Sequence, residues 1–458
     1  MYSTKRLLDR RFYGALAVFA VVTGTVSATV SCSSDPSAAP IPDEDANAPT
    51  PSPSGDDDGG VPGDAAVRDA ANEDAAKPDA GPLPSRLPVV CTGAPCATSL
   101  VTVLGEGFCV LLQDETVACW GDNANGQLGR GPDSGVTPSA TAERVLDLTD
   151  IVELDRGCAI DKNGDTWCWG TGPWLRTSAA TTREPTPVKL PIPPAKTIRV
   201  ARSSANAGTA CALVDEGVLC WGTNVHGQVT VPVLNASATT AYPPADAGIP
   251  PGAPIRDLAI GDATFAIRED RTAISWGANP QIARVSSLFP DPYPRPISLT
   301  DITQIDAAND NVCAVAGASV YCWGRAKDTT GYVPPPFERA FPDPVVLPER
   351  GVFVATAAGA STDVNRLRGC AVGASGALYC WGDNAQGQVG DGTRDYALSP
   401  VKIDSLPGPV AQVKTTVKAT CALLTSGRVF CWGDDSVGQL GGGQLRFPSP
   451  VPKEVVLP

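Results

Sequence analysis

A 21-residue stretch that occurs three times almost intact limits this chain to a small set of architectures. Residues 109–129 read CVLLQDETVACWGDNANGQLG, residues 370–390 read CAVGASGALYCWGDNAQGQVG, and residues 421–441 read CALLTSGRVFCWGDDSVGQLG. Weaker copies lie between them. With Trp-Gly as the ruler, the repeat tryptophans are Trp120, Trp169, Trp221, Trp276, Trp323, Trp381 and Trp432, spaced by 49, 52, 55, 47, 58 and 51 residues. A unit of this size recurring seven times forms an array whose units either stack or close into a ring.

Each unit reads as short strands. Runs such as residues 302–305 or 410–413 supply a first strand, and a second begins at the first cysteine of the unit. A turn such as Thr425-Ser426-Gly427 or Lys162-Asn163-Gly164 reverses the chain into a third strand that ends in Cys-Trp-Gly. The following GDNANGQLG is turn sequence, because glycine permits positive φ and Asp and Asn bond their own neighbouring backbone. The chain holds 46 Gly and 44 Pro, and no helix-period apolar run competes with this reading. The expected fold is all-β: a seven-bladed β-propeller with one four-stranded blade per unit. A solenoid of strands is the alternative, but neither end of the array carries a polar cap.

The units resemble the repeats of the regulator of chromosome condensation family, which also end in Trp-Gly, Asn, Gly-Gln-Leu-Gly. The resemblance covers residues 97–458 and is specific in units one, three, six and seven. Units two, four and five keep Trp-Gly but read WGTGPWLR, WGANPQIA and WGRAKDTT, without Gly-Gln. The resemblance implies a seven-bladed ring in which strands from the two chain ends share one blade. The C-terminal SPVPKEVVLP is therefore expected to be the opening strand of a further unit, shared with the N-terminus. Among the family's functions, guanine-nucleotide exchange on a nuclear GTPase is not expected of an exported protein. Inhibition of β-lactamases by secreted propellers with similar repeats fits the compartment better, without a residue-level match.

Of the 15 cysteines, twelve form one pair per unit in six units. The expected disulfides are Cys109–Cys119, Cys158–Cys168, Cys211–Cys220, Cys313–Cys322, Cys370–Cys380 and Cys421–Cys431. In the fourth unit Phe265 and Ser275 stand in both places at once, which a bonded pair explains and independent thiols do not. Cys91 and Cys96 are expected to close a short CTGAPC loop, and Cys32 is left for another use. Spacings of nine or ten residues and a single histidine do not suit a metal site, so no metal and no cofactor are expected.

Export is the context those bridges need. Lys5, Arg6, Arg10 and Arg11 precede an uncharged apolar run at residues 12–22, which suits a signal peptide and is too short to span a bilayer. The start of the chain resembles a bacterial lipoprotein signal, with Cys32 as the lipidated residue and Thr29 where an aliphatic residue is usual. The expected division is 1–31 signal peptide, 32–88 anchor cysteine and acidic linker, and 89–458 propeller. Residues 33–88 carry twelve Asp/Glu against three Lys/Arg in a Pro/Ala/Ser/Gly background, a composition that cannot repay the entropy of ordering. The localisation expected is the outer membrane or cell surface.

The body of the chain is acidic, so nucleic acid is excluded as a partner class. No phosphate loop or dinucleotide fingerprint occurs. His226, the one histidine, falls in the turn slot held elsewhere by Asn125, Gln386 and Val437, and reads as loop filler. The seven repeat tryptophans read as blade packing, since a residue present in every unit serves the architecture. Specificity is expected where units differ. The aromatics outside the pattern include Trp174, Tyr242, Phe289, Tyr293, Tyr332, Phe337 and Phe341, which are the candidate binding anchors. The expected protein is a monomeric, non-catalytic scaffold that binds an unknown protein of the cell envelope. The competing class is an envelope hydrolase or lyase using loop carboxylates such as Asp391 and Asp395.

Overall fold

A computed structural model of the protein describes residues 83–175, 182–204, 207–229, 240–309, 311–324, 341–357 and 368–458. Seven antiparallel sheets of four strands each follow one another, every sheet built from strands consecutive in sequence. The first comprises Ala97–Thr102, Gly107–Leu112, Val117–Gly121 and Ser139–Arg144. The seventh comprises Val410–Thr415, Ala419–Leu424, Val429–Gly433 and Ser449–Glu454. The first strands of neighbouring sheets touch and together line a central channel, and sheet seven meets sheet one. This is a seven-bladed propeller.

Position in the blade explains the residue pattern of each strand. Second strands such as Gly107–Leu112 and Ala419–Leu424 are buried throughout, because both faces of a blade are covered by its neighbours. Fourth strands lie at the rim and hold prolines: Pro292, Pro294 and Pro296 in Asp291–Pro296, Pro450 and Pro452 in Ser449–Glu454. A residue without an N–H is tolerated only at such an edge, where it also blocks pairing with another chain. The Pro-rich segments after each Trp-Gly are therefore strands as well as connections, and Tyr242 and Tyr293 lie in two of them.

The blades are keyed together by tryptophan. Trp120, Trp169, Trp221, Trp276 and Trp432 are fully buried, and Trp323 is 1% exposed. Each donates its indole N–H to a backbone carbonyl of the preceding blade's loop: Trp169 to Gln127 at 3.0 Å, Trp276 to Gln228 at 2.7 Å, Trp432 to Gln388 at 3.0 Å. The last glycine of Gly-Gln-x-Gly makes room for the ring. A Cβ on Gly390, at φ +93°, would sit 2.4 Å from the Trp432 Nε1. Gly390→Ala should therefore cost about 1–3 kcal/mol from backbone strain, with the collision in addition, read as a lower chemical-denaturation midpoint.

Closure differs from the expectation of a shared blade. Ser449–Glu454 pairs inside sheet seven, with Gly433 opposite Ser449 and Phe430 opposite Glu454, and sheet one draws all four strands from residues 97–144. Because the fourth strand follows Trp-Gly in every unit, the C-terminal segment completes the last blade. The ring is closed by side chains instead. Trp120 donates to the Gln439 carbonyl at 3.0 Å, and the Leu100 N–H to Gln412 Oε1 at 3.0 Å. Leu100, Phe108, Trp120, Leu423 and Leu440 share one core cluster.

The six repeat cysteine pairs sit directly opposite each other on the second and third strands, with Cα atoms 4.0–4.1 Å apart and sulfurs bonded. Cys91 and Cys96 are also bridged, at a Cα separation of 5.9 Å. In sheet four Phe265 faces Ser275 in the same register. Phe265 packs edge-on against Trp323 at 5.9 Å, and the Ser275 hydroxyl donates to the Ile282 carbonyl at 2.5 Å. Packing and one hydrogen bond replace the bridge there.

Candidate functional site

The loop after the third strand is a self-contained hydrogen-bonded module. Gln127 accepts the Asn125 N–H at 2.7 Å and donates to Asp122 at 2.9 Å, while Asn123 accepts the Leu128 N–H at 3.2 Å. Residues 383–389 and 434–440 repeat these bonds. In unit three the His226 N–H bonds Gln228 at 2.9 Å and the Val229 N–H bonds Asn224 at 2.8 Å. His226 thus occupies the turn slot of Asn125, Gln386 and Val437, and contributes its backbone to the loop. Its imidazole Nε2 lies 3.6 Å from Asp262.

Two loops without the Gly-Gln dipeptide still fill its key position. Unit four keeps the glutamine: Pro280 replaces the glycine, and the Gln281 carbonyl accepts from Trp323 at 2.7 Å. In unit two the carbonyl of Trp174 stands in the glutamine's place and accepts from Trp221 at 2.9 Å. Trp174 is fully buried, its ring packed where a Cβ on Gly172 or Gly208 would be. It is a core residue of the second blade and no surface anchor, which corrects the reading from sequence. Tyr242 is also partly buried, against the core shared by sheets three and four. Tyr332 and Phe337 lie outside the described residues. Phe341 is 51% exposed, just ahead of the outer strand Asp343–Val345.

Phe289 ends the loop after the third strand of sheet four, and Tyr293 lies in the outer strand that follows it. They are 55% and 44% exposed, and Val285 and Leu288 beside them are exposed as well. Asp291 holds this loop from below. It accepts from Arg284 at 2.6 Å, from the Ser286 hydroxyl at 2.7 Å and from the Tyr293 N–H at 3.1 Å. Burial works to raise the Asp291 carboxyl, but the bonds from Arg284 and Ser286 outweigh it and hold the pKa below the usual carboxylate range. The Arg284 guanidinium also donates to the Tyr293 carbonyl at 2.9 Å. The result is an apolar tip on a pinned base, in the one blade without a disulfide.

The channel is the third feature, a cavity of about 780 Å³. Arg199 bridges Glu153 and Asp257 on the two neighbouring blades, the latter at 2.7 Å. Burial opposes its charge, yet Asp257, Glu153 and Asp155 together raise its pKa. Lys414 pairs with Asp306 at 2.9 Å, and Arg156 donates to the carbonyls of Val200 and Ala307 on two different blades. Residues 83–86 line the channel too, with the Arg86 guanidinium 5.5 Å from the Phe353 ring. Residues 83–88 thus lie at the propeller although their composition groups them with the linker.

Comparison with known proteins bears on this geometry. Two models of the regulator of chromosome condensation (RCC1) repeat match residues 375–423 and 410–439. The ultraviolet-B receptor UVR8 of Arabidopsis thaliana is 26% identical over 379 residues, 78% of this chain and 71% of that protein. These matches support an RCC1-like propeller. Human HERC6, a probable E3 ubiquitin-protein ligase, is 28% identical over 41% of this chain, which corresponds to only 19% of that protein. Among solved structures, Prp20p of Saccharomyces cerevisiae superposes with a TM-score of 0.58 at 19% identity, over 78% of this chain and 87% of its own. Human WBSCR16 superposes with a TM-score of 0.57 at 18% identity, over 75% and 94%. At that identity these structures carry the fold alone.

Within an RCC1-like frame, the loop carboxylate of Asp391 has structural work. Asp391 accepts from Asn384 at 3.2 Å and from the Thr393 N–H at 2.9 Å, and so caps a turn. Among the described residues no three His, Cys, Asp or Glu side chains gather as a metal site. The channel arginines were not singled out from sequence. A comparison of first strands slot by slot points to Arg199 and to its charged neighbours in the channel wall: the position opposite the first cysteine is Val101, Asp155, Arg199, Asp306, Ala355 and Lys414 in the bridged blades. Charges in a slot that also accepts Val and Ala mark a wall facing other than plain core.

Proposed function

We propose that this RCC1-like propeller is a non-catalytic protein-binding scaffold, exported and held at the cell envelope by a lipid on Cys32. The observation that carries the scaffold reading is the sheet-four loop, where Leu288, Phe289 and Tyr293 are exposed on a base pinned by Arg284 and Asp291. Exposed aromatics on a rigid support lose little entropy on docking, which is the usual make-up of an interface hot spot. The path of the chain supports the arrangement. Val90 and Ala97 bond Thr425 and Gly427, in the turn between second and third strands of sheet seven, so the N-terminal segment approaches the ring at that end. The sheet-four loop follows a third strand and lies at the opposite end of the blade from that turn. Seven disulfides, all placed where reduction would loosen a blade or the N-terminal loop, favour an oxidising compartment.

The test is co-purification from envelope extracts with the full-length chain as bait. A stoichiometric partner is expected, and Phe289→Ala with Tyr293→Ala should weaken its capture by tenfold or more, about 2 kcal/mol for a hot-spot pair. Turnover on glycan or peptide panels that disappears with a single carboxylate substitution would replace the scaffold by an enzyme. For the anchor, intact mass should show a diacylglycerol adduct that Cys32→Ser removes, together with release of the protein from membranes.

A further inference from the structure

The charge balance inside the channel is opposite to that of the chain. The protein carries a net −14, yet six cationic and four anionic side chains line the cavity. All four carboxylates are already satisfied. Glu153 and Asp257 share Arg199, Asp306 holds Lys414 and the Thr356 N–H, and Asp155 accepts the Val200 N–H at 2.7 Å. Four arginines remain without a carboxylate partner among the described residues: Arg86, Arg156, Arg256 and Arg271. Arg156 lies between two backbone carbonyls, and Arg256 donates to the Ile302 and Thr303 carbonyls at 2.9 Å. Carbonyl partners orient a guanidinium without cancelling its charge.

Three of these arginines gather near one mouth. Arg271 sits in the turn between second and third strands of sheet four, and its carbonyl accepts the Ile302 N–H at 2.9 Å, so it shares residue 302 with Arg256. Both are exposed, and Arg86 stands at the same end beside Phe353. Guanidiniums around a cavity, with the local carboxylates spent elsewhere, present donor forks suited to planar or tetrahedral anions. We infer that the channel is a binding site for a compact organic anion with two or more acidic groups, held at the mouth by Arg256 and Arg271. This site is independent of the sheet-four loop and of any anchor.

Isothermal titration calorimetry of the full-length protein at low salt tests it, with citrate and inorganic pyrophosphate as probes. One saturable site per chain is expected for at least one probe, and the tighter probe tells carboxylate from phosphate recognition. Arg256→Gln and Arg271→Gln should each weaken binding by about tenfold or more, the usual worth of one charge-assisted hydrogen bond. Arg428→Gln, which removes an exposed ion pair with Glu454 at the rim, should leave it unchanged. Thermal midpoints of the variants separate lost binding from lost fold. No saturation by either probe below about 10 mM, or the same weakening in all three variants, overturns the site.

Discussion

Reducing all seven disulfides of the native protein is expected to lower its thermal midpoint by roughly 10–20 °C. The six repeat bridges each span nine or ten positions of sequence, so each closes a small ring. In the chain-entropy account, closing such a ring is worth about 2.5–3 kcal/mol. Six independent bridges would supply roughly 15 kcal/mol, an upper bound because neighbouring blades share core clusters. Dividing by an unfolding entropy of about 2 cal/mol/K per residue gives the range above. Sheet four supplies an internal control, since its Phe265–Ser275 pair has nothing to reduce. Calorimetry with and without reductant reads the global effect, and hydrogen exchange should show second and third strands loosening in six blades and least in the fourth. A midpoint that moves by less than about 5 °C would mean that packing alone holds the hairpins.

Most of this fold was legible because its signals are local and repeated. Seven Trp-Gly pairs count the blades, and a cysteine pair at a spacing of nine or ten marks the hairpin between second and third strands. The simultaneous loss of both cysteines at Phe265 and Ser275 identifies them as partners. Two features escaped. The fourth strand is disguised by its prolines, such as Pro292 and Pro294, which read as insertion until the strand is known to lie at an edge. The phase of the ring is the other. A C-terminal segment that reads as a spare opening strand completes the last blade, because pairing is decided by which neighbour offers a free edge.

Sites were less legible, for a physical reason. Sequence shows that a residue breaks the pattern and says nothing of which way it points. Trp174 breaks the pattern and is buried, with its carbonyl taking a glutamine's part. Phe289 breaks the pattern and is exposed, because Arg284 and Asp291 hold its loop outward. Gln281 hid in the opposite sense: proline in place of glycine conceals a slot that is still filled. The channel arginines belong to a third kind. Their significance lies in which carboxylates are already paired, and that is a property of seven strands meeting, far apart in sequence.

Trp276→Ala is expected to be among the most damaging single substitutions in the ring, at about 4–8 kcal/mol. The side chain is fully buried and packs with Leu258, Ile274 and Val229 in the core between sheets three and four. Truncation removes the apolar contacts and leaves a cavity, worth about 3–5 kcal/mol. It also strips the Gln228 carbonyl of its 2.7 Å partner, which adds about 1–3 kcal/mol if no water reaches it. Trp276→Phe separates the two contributions, since it keeps most of the volume and loses the bond; about 1–3 kcal/mol is expected. The same change at Trp432 should cost a similar amount by denaturant midpoint, but with a different pattern of local opening. Trp432 follows a bridged cysteine, so its hairpin stays tied when the indole is gone. Trp276 follows Ser275, and nothing covalent ties that hairpin. Hydrogen exchange in Trp276→Ala should therefore rise through the whole of sheet four, while in Trp432→Ala it should rise mainly at the junction of sheets six and seven. Equal patterns would show that the bridges stabilise only the unfolded-state reference and do not hold individual blades.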